Sequence, residues 1–236
     1  MATIPPPKIL TAYDALLSKF EDVAIQSNLT VCQGDLPLAS SFERTGQHEF
    51  KFSRSIHLKG LKPKQRPRGQ TLSVILWAQE RFSSPEKSPN DWALVESNVR
   101  LNFFVEAKGQ SRLVQALHYD FPKECPAAHP LFHVQLTDEL LPPEVLDTLK
   151  VTATVKEGRS GPPAWVGMRI PTPDMTLSSV LYCAVASYLK DEIFAKFAED
   201  YELLKNRLLH PRFDPITDSL RDSPSHFKSS HWFPTK

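Results

Sequence analysis

Twenty-one prolines against eight glycines in 236 residues place the strongest constraint on how this chain folds. Proline fixes its own φ and pushes the preceding residue out of the helical basin. The connections between regular elements are therefore expected to be stiff and extended. The scarcity of glycine excludes functions as well. The chain holds no Gly-x-Gly-x-x-Gly, no Gly-x-x-x-x-Gly-Lys and no Gly-x-Ser-x-Gly, so the usual phosphate cradles and the nucleophile elbow are missing. With 41% hydrophobic and 23% charged residues the composition is that of a globular domain, which rules out wholesale disorder, collagen and coiled coil.

Cys32, Cys125 and Cys183 are widely spaced and odd in number, and no Cys-x-x-Cys occurs. That pattern fits a reducing compartment rather than a disulfide framework, so a cytoplasmic location is expected. The opening MATIPPPKIL has no basic stretch followed by an apolar core and does not read as a signal peptide. The apolar runs at 101–107 and 177–189 are shorter than the roughly 18–20 residues of a membrane span, so no membrane association is expected.

Periodicity gives the fold class. Residues 9–26 carry Leu10, Tyr13, Leu16, Leu17, Phe20, Val23 and Ala24 at spacings of three and four, which predicts an amphipathic helix. Residues 28–47 read as loop with at most a short turn of strand. Strands are predicted at 49–58, 71–79, 92–106, 113–121, 130–137 and 164–170, with a weaker one at 151–155. Val95, Val99, Leu101, Phe103 and Val105 share parity, as alternation on one sheet face requires. Lys108-Gly109-Gln110-Ser111 is a hairpin signal between two of the strands. Short links argue for an antiparallel meander rather than βαβ units. The Pro-Pro and Asp-Thr-Leu-Lys within 138–150 suit a short helix. A long helix is expected from Thr176 to about Leu209, starting near Asp174 or Thr176. Unbroken, it would measure about 50 Å, so a bend or a protruding end that needs a partner is expected. Cys183 on that helix reads as a small buried hydrophobe. The whole is expected to be one α+β domain over residues 1–210: an antiparallel sheet of about six strands, an N-terminal helix and a long C-terminal helix. Residues 211–236 are expected to form an irregular tail in which Trp232 and Phe233 are the aromatic anchors.

Net charge is only +1, but its distribution is uneven. Residues 51–79 contain Lys51, Arg54, Lys59, Lys62, Lys64, Arg66 and Arg68 and no acidic residue, which leaves the other 207 residues at −6. Five of the seven lie in KGLKPKQRPRG, between two predicted strands and stiffened by Pro63 and Pro67. Such a connection suits phosphates or an acidic protein surface. It lacks interleaved aromatics for base stacking.

Two constellations could carry chemistry. In NDWALVESNVRLNFFVEAKG, Asp91 opens a predicted strand and Glu106-x-Lys108 closes an apolar one. Two carboxylates can hold a divalent ion while a lysine steadies a water. With Pro89-Asn90-Asp91 ahead of it, this pattern resembles the PD-(D/E)xK nuclease superfamily, and the resemblance implies catalytic roles for Asp91, Glu106 and Lys108 with a divalent metal such as Mg. The second constellation comprises His118, Asp120, His129 and His133. If the strands bearing them pair, three imidazoles and a carboxylate converge near Cys125, a ligand set suited to zinc or iron. The spacing matches no defined metal motif, and no metal is assigned there.

The resulting expectation is a non-catalytic cytosolic binding or accessory protein. It would engage a protein or nucleic-acid partner through Lys59, Lys62, Lys64, Arg66 and Arg68, helped by the C-terminal helix and tail, and would need no small-molecule cofactor. The alternative expectation is the metal-dependent nuclease.

Overall fold

The computed structural model describes residues 6–33, 37–61, 71–87, 89–107, 110–121, 133–154, 169–171, 176–205 and 208. Helix α1 spans Pro7–Gln26 with a proline in its first turn, where the missing N–H costs nothing. Strand β1 (Thr30–Cys32), a single 3-10 turn (Leu38–Ser41) and strand β2 (Phe42–Gly46) follow. The long strands β3 (Glu49–Leu61), β4 (Thr71–Ser83), β5 (Ala93–Ala107) and β6 (Gln110–Phe121) make the body of the sheet. Then come β7 (His133–Thr137), helix α2 (Pro143–Thr148), β8 (Ala153–Thr154), β9 (Arg169–Pro171) and helices α3 (Leu177–Tyr188) and α4 (Asp191–Lys205).

The protein is thus α+β, with an N-terminal helix, an antiparallel sheet and C-terminal helices. Strand order is β1-β3-β4-β5-β6-β7-β9, with β2 also on β3 and β8 also on β6. Every pairing is antiparallel except the two-residue β6–β8 contact. Five of the six expected strands are β3 to β7, the sixth (164–170) is described only as β9, and the weaker one at 151–155 is the two-residue β8. The region read as loop at 28–47 holds β1 and β2, both on the outer edge of β3. Strands this short give too few alternations to read. A tight turn joins β2 to β3, and Arg44 steadies it by donating from Nε to the Gly46 carbonyl and from Nη2 to the Gln47 carbonyl, each at 2.9 Å.

Alternation separates the sheet into two unlike faces. On one, Phe52 and Ile56 of β3, Leu76, Ala78 and Phe82 of β4 and Val99 and Leu101 of β5 pack against α1, α3 and α4 to form the main core. On the other, α2 covers one region, where Val145 and Leu146 meet Ile75, Phe104 and Leu113.

The long C-terminal helix breaks. Leu189 is extended (φ −101°, ψ 169°), and α4 restarts with Asp191 and Glu192 in its first turn, where carboxylates favour the exposed amides. Folding back places Phe197 at 1% exposure in the core and stacks Tyr201 near Tyr182 of α3, with ring centroids 4.7 Å apart. Lys19 of α1 and Asp200 of α4 form an ion pair at 3.2 Å. The bend is therefore present, and over its described length α4 packs on α1 instead of running outward. Cys183 departs from expectation in the other direction. The buried stripe of α3 is Leu177, Val180, Leu181 and Val185, and Cys183 falls beside that stripe and is exposed. Residues 211–236, including Trp232 and Phe233, lie outside the described residues.

Glu80 locks the layers together. Its carboxylate is 1% exposed on the core face of β4 and accepts from Tyr13 Oη of α1, from Ser97 Oγ of β5 at 3.3 Å and from the Leu177 amide that opens α3 at 2.8 Å. Thr176 caps the same helix end by accepting from the Ser179 amide. Replacing Glu80 by Ala orphans donors from three elements and is expected to lower unfolding stability by about 3–5 kcal/mol. Tyr13→Phe is expected to cost about 1–2 kcal/mol. Urea unfolding of both single variants and the double variant checks this, since the two effects must be strongly non-additive if the hydroxyl acts through Glu80.

Candidate functional site

The face that carries α2 also presents a polar surface. Register brings Ser55 of β3, Trp77 of β4, Arg100 of β5, His118 of β6 and Gln135 of β7 into one transverse row. The neighbouring row is Ser53, Gln79, Asn98, Asp120 and His133. These are the polar halves of the alternation whose apolar halves build the core. Arg100 stands over the Trp77 ring with its guanidinium carbon 5.6 Å from the centroid, and its Nη1 lies 4.0 Å from the Glu139 carboxylate. Asn98 Oδ1, Arg100 Nε and His118 Nε2 are shielded from solvent and have no hydrogen-bond partner among the described residues.

The histidine constellation is half assembled in register. Asp120 lies opposite His133 and His118 opposite Gln135. His129 and Cys125 lie outside the described residues. Among the described residues no three His, Cys, Asp or Glu side chains are grouped as a metal site.

The nuclease trio is not brought together. Asp91 precedes β5 and is exposed, whereas Glu106 sits at the other end of that strand. Fifteen residues of extended chain put them roughly 45 Å apart, so the two carboxylates cannot share one ion. Lys108 lies outside the described residues. Glu106 instead faces His57 of β3, with 3.7 Å between Oε1 and Nε2.

His57 and Glu106 mark the pole of the sheet at which the basic connection leaves. Leu61 pairs with Leu72, so the chain exits β3 and re-enters β4 on adjacent strands. Gly60 has φ +90°, inside an irregularity of register between Leu58 and Leu61. A side chain would strain that backbone, and glycine relieves it. Lys59 is half-buried at the root of the connection, while Lys62, Lys64, Arg66 and Arg68 lie outside the described residues.

Two histidines flanking this polar surface are held neutral. Burial, then Lys59, pushes His57 down to about 4 against the opposing pull of Glu106. Burial, then Arg100, pushes His118 down to about 4 as well. Neither environment is legible in the sequence, because both depend on cross-strand neighbours.

Comparison with protein-family models, curated proteins and solved structures returns no match for this chain. Among the described residues no helix is long and apolar enough to cross a membrane.

Because both folded-state values lie below the ordinary 6.5, the unfolded chain takes up protons first as pH falls. Stability from these two groups is complete above about pH 6.5 and declines as pH falls from there toward about 4, by up to about 3 kcal/mol for His57 and less for the more exposed His118. Urea midpoints measured between pH 7 and pH 5 are expected to fall, and His57→Gln is expected to flatten that slope while lowering stability at pH 7.

Proposed function

We propose that the protein is a non-catalytic, cytosolic binding protein that engages an anionic macromolecule, a nucleic acid or an acidic protein surface, through the connection between β3 and β4. One observation carries the reading. The two ends of this connection are fixed on hydrogen-bonded neighbours at one pole of a long, stiff sheet, and the nine intervening residues include Lys62, Lys64, Arg66 and Arg68 without a carboxylate. Four cations confined to so short a span raise the local potential even though the chain is nearly neutral. Lys59 stands at the base of the same hairpin.

The cytosolic assignment rests on the odd cysteine count and on the free thiols of Cys32 and Cys183. The separation of Asp91 from Glu106 removes the support for a nuclease centre. The described residues supply the scaffold that fixes both ends of the basic segment.

Fluorescence anisotropy with a labelled DNA duplex and with a labelled polyglutamate peptide, each titrated at several salt concentrations, tests the proposal. The full chain is expected to bind one of the probes, and to bind it more weakly as salt rises. Replacing Lys62, Lys64, Arg66 and Arg68 by Ser is expected to abolish that binding, or to reduce the salt slope on duplex DNA by about 3–4. Binding of neither probe, or identical slopes for both proteins, would sink the reading.

A further inference from the structure

A cleft of about 220 Å³ opens on the far edge of β3, away from the basic connection, and nothing in the proposed function uses it. Its origin is a gap in the edge pairing. Strand β1 pairs with β3 only at His57–Lys59 and β2 only at Glu49–Phe52, so among the described residues no strand pairs with the outer edge of β3 over 53–56, where β4 occupies the inner edge. The gap is bounded by Gln33, by the 3-10 turn and by α2.

The lining mixes apolar surface with polar groups, and its formal charges balance. Ser40, Ser41, Ser53 and Ser55 contribute hydroxyls, each able to donate and accept. Arg54 is held in place, donating from Nη1 to Ser41 Oγ at 3.1 Å and from Nη2 to Gln33 Oε1 at 3.4 Å, and Gln33 in turn donates to Glu21 at 3.3 Å. Glu144 of α2 lines the opposite side. Within the cleft lining the formal charges of Arg54 and Glu144 cancel, and Glu21 acts on Arg54 from behind it, so the lining does not select an anion.

Trp77 and Val145 supply the apolar part of the wall. Arg100 covers Trp77 from the β5 side, while the cleft lies on the β3 side, where Ser55 is its cross-strand neighbour. An aromatic wall beside a fixed set of donors and acceptors suits a ring with one apolar C–H face and several hydroxyls. At this volume, below the roughly 300–1,000 Å³ of sites for drug-sized ligands, one ring fills it.

We propose that this cleft binds a single neutral sugar ring, with Trp77 against the C–H face of the ring and Arg54, Gln33, the serines and Glu144 on its hydroxyls. Saturation-transfer NMR on the full chain with glucose, galactose, mannose, xylose, ribose and N-acetylglucosamine, with inorganic phosphate as a competitor, tests it. At least one sugar is expected to bind saturably and to be undisturbed by phosphate. Trp77→Ala is expected to abolish the signal. Glu144→Ala, on the exposed face of α2 and harmless to the core, is expected to weaken binding about tenfold. Lack of transfer to every sugar, displacement by phosphate, or unchanged affinity in Glu144→Ala would each overturn the proposal.

Discussion

A carboxylate buried in an apolar core is costly unless its oxygens are fully occupied, and the arrangement of the helical layer follows from how Glu80 meets that demand. The acceptors are filled from α1 by Tyr13, from the neighbouring strand by Ser97 and from the first amide of α3 by Leu177. Each donor fixes the element it belongs to. Tyr13 sets the rotation of α1 on the sheet, where its ring also meets Phe42, Phe52 and Phe82. The Leu177 amide sets where α3 begins, and the helix end favours the negative charge it points at. With α1 and α3 pinned to one residue of β4, the space left between them is the space α4 folds back to fill.

That chain of constraints explains why some of the fold is legible in the sequence and some is not. The period of α1 and the alternation along β5 are properties of neighbouring residues, so they can be read from the string. The break at Leu189 is not, because Leu177 through Leu208 keeps a helical stripe across it. What ends the helix is the burial of Phe197 and Tyr201 gained when the chain doubles back, a tertiary effect stronger than local propensity. Glu80 is in phase with Leu76, Ala78 and Phe82, but it lies one residue past the strand predicted at 71–79, so its place on the core side was not read. Its partners were not legible either, being 67 and 97 residues distant for Tyr13 and Leu177.

The site reading shows the same division. A continuous strand over 92–106, once accepted, already sets Asp91 and Glu106 at opposite ends of it and excludes a shared ion. The resemblance to a nuclease motif rested on spacing in sequence, and an extended strand turns fifteen residues of spacing into distance instead of proximity. The polar face was legible only in part, through His118, Asp120 and His133. Asn98, Arg100 and Asn102 read as the ordinary solvent half of an alternating strand, and only the cross-strand register reveals that Trp77 and His118 flank Arg100.

Strands of 12 to 15 residues exceed what three helices on one face and a two-turn helix on the other can cover. Among the described residues the sheet therefore has ends and edges that no helix covers, and the sequence treats them differently. Beyond Leu61 the sequence gathers four cations between the paired ends of β3 and β4. Along the outer edge of β3 it leaves a gap between β1 and β2 and lines it with hydroxyls and a balanced pair of charges, which keeps a bare strand edge from pairing with another chain. A surface evolved only for solubility would need neither the fixed Arg54 nor the Trp77 wall beside it, since exposed lysines alone blunt an edge. The extra organisation at that gap is what the proposed sugar site accounts for.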